Sequence, residues 1–363
     1  MAAARKTKGP GAERSLGVVA GERPLGVVAV VVAFVGLSLG STIAKSVGSP
    51  GVVVAFWRFL IGAVLWHAWI ALRGLCSGSA LTVDWAAWRA AALPGAVFGI
   101  NLACFFSGAT RTPIAHAEFI SALTPLVLIP VAAIVLGERI QRYAVVGGAV
   151  ALGGISLILT EAPPGGTSLV GDLLVVGAVA AWVVYLMTAK AARATLDTAA
   201  FMAVMTTTAC LTVLPLAVLT GGGFGALTGL TATGWVLVAI LAITAGTISH
   251  GLLTWAQRRV AVGTISILQL AQPGLGVFWA AAFLAESVSP VQLLGMAIVL
   301  GAVGMIAWQS AHAGPPRGRA RMSRWTASTT WAACTDSVRS RSRWTSPSIT
   351  RLGKAAWRRS PGG

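Results

Sequence analysis

The sequence predicts an all-α integral membrane protein whose ten transmembrane helices form two inverted five-helix repeats. Three observations carry that expectation: a composition too apolar for water, ten apolar windows of spanning length, and one fixed offset at which the two halves match. Of the 363 residues, 56% are hydrophobic and 10% charged, with a mean hydropathy of +0.80. A water-soluble domain of that make-up would lack the polar surface to cover its core, so lipid is the expected solvent.

A helix needs about 20 apolar residues to cross roughly 30 Å of hydrocarbon. Windows between charged or Gly/Pro-rich breaks fall at 25–45, 52–73, 91–109, 113–136, 143–161, 171–189, 199–220, 235–255, 262–284 and 290–309. The shortest loops hold a few residues, so neighbouring helices are antiparallel. With the N-terminus inside, 24 of the 27 Lys and Arg fall in inside segments, and only Lys45, Arg58 and Arg111 lie on the outer half. That bias predicts a multi-pass protein of the inner or plasma membrane with both termini cytoplasmic. The net charge of +17 is spread over loops and tails, which argues against nucleic acid as a partner. Residues 1–24 read as a basic cytoplasmic segment with no apolar run before Leu25, so no cleavable signal peptide is expected.

Sliding the sequence by 148 positions brings Pro125 onto Pro273, Glu138 onto Glu286, Gly147 onto Gly295, Gly153 onto Gly301, Arg111 onto Arg259 and Lys45 onto Arg193. One ungapped offset across such different residue types marks a duplication. The units span 25–161 and 171–309. Each holds five spans, an odd number, so the second copy enters the bilayer upside down. Inverted repeats are a transporter architecture, with the substrate site near mid-membrane where the copies meet.

The first unit ends in "TPLVLIPVAAIVLGERIQRYAVVGGAVALGGISLIL" and the second repeats it as "AQPGLGVFWAAAFLAESVSPVQLLGMAIVLGAVGMIAW". A proline in the fourth helix, a Leu-Gly-Glu turn and a glycine-rich fifth helix resemble the EamA unit of the drug/metabolite transporter superfamily. The first copy keeps Leu136-Gly137-Glu138, whereas the second reads Leu284-Ala285-Glu286. The resemblance implies ten helices, cytoplasmic termini and efflux of small metabolites or drugs, without naming a substrate.

The stretch "AEFISALTPLVLIPVAAIVLGE", residues 117–138, carries the acid Glu118 inside an otherwise apolar span. An ionised carboxylate at a helix centre costs on the order of 3 kcal/mol, so it turns away from lipid. Glu118, Ser121 and Pro125 share one helix side at i, i+3 and i+7. The offset carries them onto Ser266, Gln269 and Pro273, and Thr124 onto Gln272. Two related helices with a polar stripe beside a proline are expected to line one cavity, because a proline frees backbone groups that need protein or water partners. Asn101 on the third span, its equivalent Ser249, His250, Trp182, Tyr185 and Ser38 complete the expected lining, which suits an amphipathic organic solute. Glu118 itself has two readings: a proton-coupling or cation-recognising group, or a protonated acid bonded to a neighbouring Ser or Thr as packing glue.

His116 projects about 200° from Glu118 and faces a different neighbour, and His67 is expected at the interface. Arg58, in "FWRFL", is expected to snorkel to headgroups, with gating or anion attraction as the other reading. Glu138 and Glu286 are expected to be structural, accepting free N–H groups early in the helix that follows each. Gly147, Gly148, Gly154, Gly295 and Gly301 are expected to allow close helix packing.

No cofactor or metal is expected. Cys76, Cys104, Cys210 and Cys334 show no CxxC spacing, and GxGxxG and Walker patterns are absent. An integral-membrane enzyme would need a catalytic cluster, but the ten acids are scattered; a non-transporting scaffold would not need an inverted duplication. Residues 311–363 hold eleven basic residues and one acid, Asp336. They read as a disordered cytoplasmic tail whose basic residues and tryptophans suit contact with anionic headgroups, or as an accidental extension of the frame.

Overall fold

The computed structural model describes residues 22–77, 83–136, 142–160, 168–256, 260, 265, 268–269 and 271–312. The described chain is helical: α1 (Glu22–Ser46), α2 (Gly51–Ser77), α3 (Trp85–Ala109), α4 (Ile114–Ala122), α5 (Thr124–Leu136), α6 (Arg142–Thr160), α7 (Leu169–Thr195), α8 (Thr198–Thr220), the short α9 (Gly223–Thr228), α10 (Ala232–Leu241), a π-helical segment Ala242–Ser249, α11 (His250–Ala256), α12 (Ala271–Leu284) and α13 (Pro290–His312). Among the described residues, Ala132–Leu136 at the end of α5 group apart from the rest of the chain. The other described residues form one compact unit.

Six helices among the described residues are long and apolar enough to cross a membrane: Leu25–Ser46, Gly51–Cys76, Trp85–Ala109, Leu169–Ala189, Thr198–Thr220 and Ala232–Ala256. Shorter apolar helices, Ile114–Leu128, Val145–Thr160, Ala271–Leu284 and Pro290–Ile306, occupy the other four windows. Large apolar side chains including Val28, Leu152, Leu159, Phe283 and Leu294 stand exposed. So many exposed apolar side chains on apolar helices suit lipid rather than water.

Local chemistry explains where the helices begin. Asp84 accepts from Ala87 N at 2.8 Å, Ser168 from Gly171 N at 3.2 Å, Asp197 from Ala199 N at 3.1 Å and Thr231 from Gly234 N at 3.0 Å. Each side chain satisfies an N–H that the first turn leaves unpaired. The start of α13 is a reciprocal box: Gln292 N donates to Ser289 Oγ, and Ser289 N donates to Gln292 Oε1, both at 3.1 Å. The fourth window is not one helix. It breaks at Leu123, two residues before Pro125, which falls in the first turn of α5 and there needs no N–H of its own. In the eighth window the chain widens over Ala242–Ser249, where Thr247 Oγ1 reaches back five residues to Ala242 O at 2.8 Å.

Packing reveals the relation between the halves. Helices α6 and α13 are equivalents under the 148 offset, and they pack on each other. A Cβ at Gly154 would meet Gly295 O at 2.9 Å, one at Gly295 would meet Gly154 O at 2.7 Å, and one at Gly147 would meet Ile306. Numbering rises along one helix as it falls along the other, so the pair is antiparallel. The equivalents α2 and α8 behave alike: Gly221 lies against Val52 and Val53, and Gly62 against Thr206. The cross-pairs match too, α3 packing on α7 as α1 packs on the segment 232–256. Equivalent helices of the two halves run in opposite directions.

Buried Phe59, Phe98, Phe106, Phe201 and Met205 anchor the largest core, and Ile155, Ile158, Met296 and Val299 a second between α6 and α13. Gly95 and Gly99 bring α3 close to the backbone of α8. A Cβ on them would lie 2.7 Å from Met205 O and 2.9 Å from Ala209 O respectively, the close approach that small residues spaced four apart permit.

Candidate functional site

Helix α1 carries Ser38, Ser41, Thr42 and Lys45 at helical spacing, and the polar contacts of the site follow that stripe. Trp279 Nε1 of α12 donates to Ser38 Oγ at 3.0 Å. One turn along, Ser41 Oγ donates to Glu118 Oε1 at 2.6 Å. Glu118 is 3% exposed and abuts Gly276 of α12, where a Cβ would stand 2.8 Å from its Cγ and Cδ. The acid, on α4, thus lies against one further helix of the first half, α1, and one of the second, α12. A serine bond is what packing glue requires; the position between halves is what a coupling group requires.

One further turn along, Lys45 Nζ donates to Glu286 Oε1 at 2.7 Å and to Thr112 O at 2.8 Å. Glu286 Oε2 accepts from Ile114 N at 2.9 Å. This corrects the expectation that Glu286 serves the helix after it: α13 is capped by Ser289 and Gln292, leaving the carboxylate to cap α4 and pair with Lys45. Beside it, Thr112 Oγ1 donates to Asp172 Oδ1 at 2.7 Å, and His116 Nδ1 lies 3.4 Å from that same oxygen. His116 therefore faces α7 while Glu118 faces α1, as their angular separation requires. A cavity of about 150 Å³ lies here, lined in part by Lys45, Pro113, Val277, Glu286 and Gln292. That is below the several hundred Å³ of a ligand pocket, so it suits water. Glu286→Ala is expected to lower stability by about 2 kcal/mol, through loss of charge-assisted bonds to Ile114 N and Lys45. A thermal melt checks this.

The structure brings Trp182, Tyr185 and His250 together around Phe98, a residue the sequence did not single out. Trp182 stacks on Tyr185 with centroids 4.9 Å apart, Phe98 lies 5.0 Å from Tyr185, and His250 meets Phe98 edge-on at 5.1 Å. Phe59 closes the group at 5.4 Å from Phe98, and Tyr185 Oη donates to Met205 Sδ at 3.6 Å. Asn101 and Ser249, equivalents under the offset, sit in equivalent helix contacts. Asn101 Nδ2 donates to Ala178 O of α7 at 2.7 Å, and Ser249 Oγ fills the space beside Gly36 of α1. Both are buried.

The stripe expected on the fourth and ninth spans is only partly described. Ser121 and Gln272 are half-buried, Gln269 is exposed and Pro273 is buried. Ser266 and Glu138 lie outside the described residues.

Arg58 overturns its expectation. It is 3% exposed and does not snorkel. Nη2 donates to Ala245 O of the π segment at 3.2 Å, and the guanidinium lies over the rings of Phe59 and Phe106 at 5.8 and 5.7 Å. Gly246 provides the room, since a Cβ there would be 3.3 Å from Nε. Two cation–π faces hold the arginine inward.

A family model described as the EamA-like transporter family matches residues 24–160 and 169–308. No curated protein matches the chain. Among solved structures, one described as "Crystal structure of protein" aligns with a TM-score of 0.56 and 20% identity, over 81% of this chain and 100% of that one. That likeness concerns the fold alone.

Proposed function

We propose, from the premise that this chain belongs to the EamA-like transporter family, that it is a ten-span secondary transporter exporting small metabolites, amino acids or drugs by alternating access. In this reading both termini are cytoplasmic, the membrane is the inner or plasma membrane, and Glu118 couples transport to protons. One observation carries the coupling: the acid is buried between Ser41 of the first half and Gly276 of the second. A rocking of one half against the other changes the surroundings of a group so placed, and with them its hold on a proton. The end bearing Lys45, Thr112, Asp172 and Glu286 is the outer end, held closed by their contacts.

Purified protein in proteoliposomes tests the coupling, using a labelled ligand found by a thermal-shift screen of amino acids, nucleosides and drugs. A pH gradient is expected to drive flux in the wild type and to lose its effect in Glu118→Gln, which keeps the size of the side chain. A Glu118→Gln protein whose flux still follows the gradient ends the coupling assignment.

A further inference from the structure

We infer that the seam between α2 and the π segment is an anion-binding subsite, in which Arg58 holds the carboxylate of a solute whose apolar body rests on the ring group around Phe98. The inference rests on the transport reading and names the chemical class that the same site takes.

The guanidinium is the starting point. Among the described residues it makes no ion pair, and its Nε and Nη1 have no hydrogen-bond partner although both are buried. A charge at membrane depth is costly even before its donors are left unpaired. Cation–π contacts with two phenylalanines offset part of this, and a single carbonyl, Ala245 O, takes one donor. A carboxylate supplies what is missing: a countercharge and acceptors for a donor fork that matches carboxylate geometry.

The seam bears a second orphan donor. Trp66 lies two turns along α2 from Arg58, and its Nε1 is also buried without a partner. Its ring carbons meet Gly251 as Arg58 meets Gly246, so both side chains pack on glycines of the eighth span. Between these glycines stands His250, against Phe98. The π segment beside them is a second sign, since such widened turns are frequent at functional sites. The backbone carbonyl that Arg58 engages belongs to that turn, so a return to tighter winding would free Nη2 as well. From Phe59, which the guanidinium overlies, the ring group runs on to Phe98, Tyr185 and Trp182, apolar surface that favours a carboxylate borne on an apolar body over a bare inorganic anion.

The test uses the full-length protein in detergent and needs no labelled substrate. Acetate, octanoate and 3-phenylpropionate are each compared with the corresponding neutral amide by thermal shift. Octanoate and 3-phenylpropionate are expected to raise the melting midpoint of the wild type, with acetate and all three amides weaker by at least tenfold in apparent Kd. Arg58→Gln is expected to abolish the difference between acid and amide, and Arg58→Lys to weaken it at least tenfold, because an ammonium lacks the planar fork. Equal shifts by acids and amides on the wild type overturn the proposal, as does undiminished carboxylate binding by either variant. Should neither variant fold, the acid and amide pairs on the wild type still decide. Binding is read without flux, so a failure here is distinct from a failure of coupling at Glu118.

Discussion

Leucine at Gly95 or Gly99 is expected to abolish assembly of the folded protein. A Cβ at Gly95 would approach Met205 O and Cα to 2.7 and 2.9 Å, and one at Gly99 would approach Ala209 O and Cα to 2.9 and 3.0 Å. Backbone cannot rotate aside as a side chain can, so α3 and α8 must separate. The core between them includes Phe98, Met205, Ala209 and Cys210 and opens with them. Overpacking alone costs about 1–3 kcal/mol per site; the lost contacts add to it, and a domain has only about 5–15 kcal/mol in all. Size-exclusion chromatography and melting curves check this. The matched control is Gly153→Leu, because nothing lies within 4 Å of a Cβ there; that variant is expected to elute and melt as the wild type does.

Gly276→Leu is expected to remove transport while leaving most of the protein intact. The new side chain would enter the space of the Glu118 carboxyl, 2.8 Å from Cδ and 3.0 Å from Oε1, and force it from Ser41. Flux is expected to fall at least a hundredfold, the equivalent of about 2.7 kcal/mol or more on the limiting step. The double variant Gly276→Leu/Glu118→Ala separates crowding from chemistry. Removing the carboxyl relieves the clash, so the melting midpoint is expected to recover, whereas pH-driven flux is not. Recovery of both would show that the acid has no part in coupling.

The duplication was legible because one offset moves whole features together: Gly147 onto Gly295, Asn101 onto Ser249. The structure answers with α6 crossing α13 in reverse at those glycines, and with Asn101 and Ser249 in equivalent helix contacts. Other spacings in the sequence acquire meaning only from the contacts. Ser38, Ser41 and Lys45 follow helical spacing, Gly95 and Gly99 stand four apart, and Ser289 and Gln292 have the spacing of a capping box. Arg58 departs from its expectation for a physical reason. Closeness to a helix end in sequence says nothing of two aromatic faces and a glycine from other helices that hold the guanidinium inward. The partners of Glu118 and Glu286 were hidden likewise, since Ser41 and Lys45 are 77 and 241 residues away from them. Nor does periodicity distinguish a wide π turn from an α-helix, so Ala242–Ser249 could not be foreseen.

The central claim is that equivalent segments of the two halves face opposite sides of the membrane, and single-cysteine labelling tests it most directly. In a background where Cys76, Cys104, Cys210 and Cys334 are replaced, Ser49→Cys lies in the turn between α1 and α2, and Leu196→Cys in the equivalent turn between α7 and α8. An impermeant maleimide applied to intact cells is expected to label Ser49→Cys, and to reach Leu196→Cys only after the membrane is opened. Labelling of both from the same side would contradict the inversion, and with it the meeting of the two halves around Glu118.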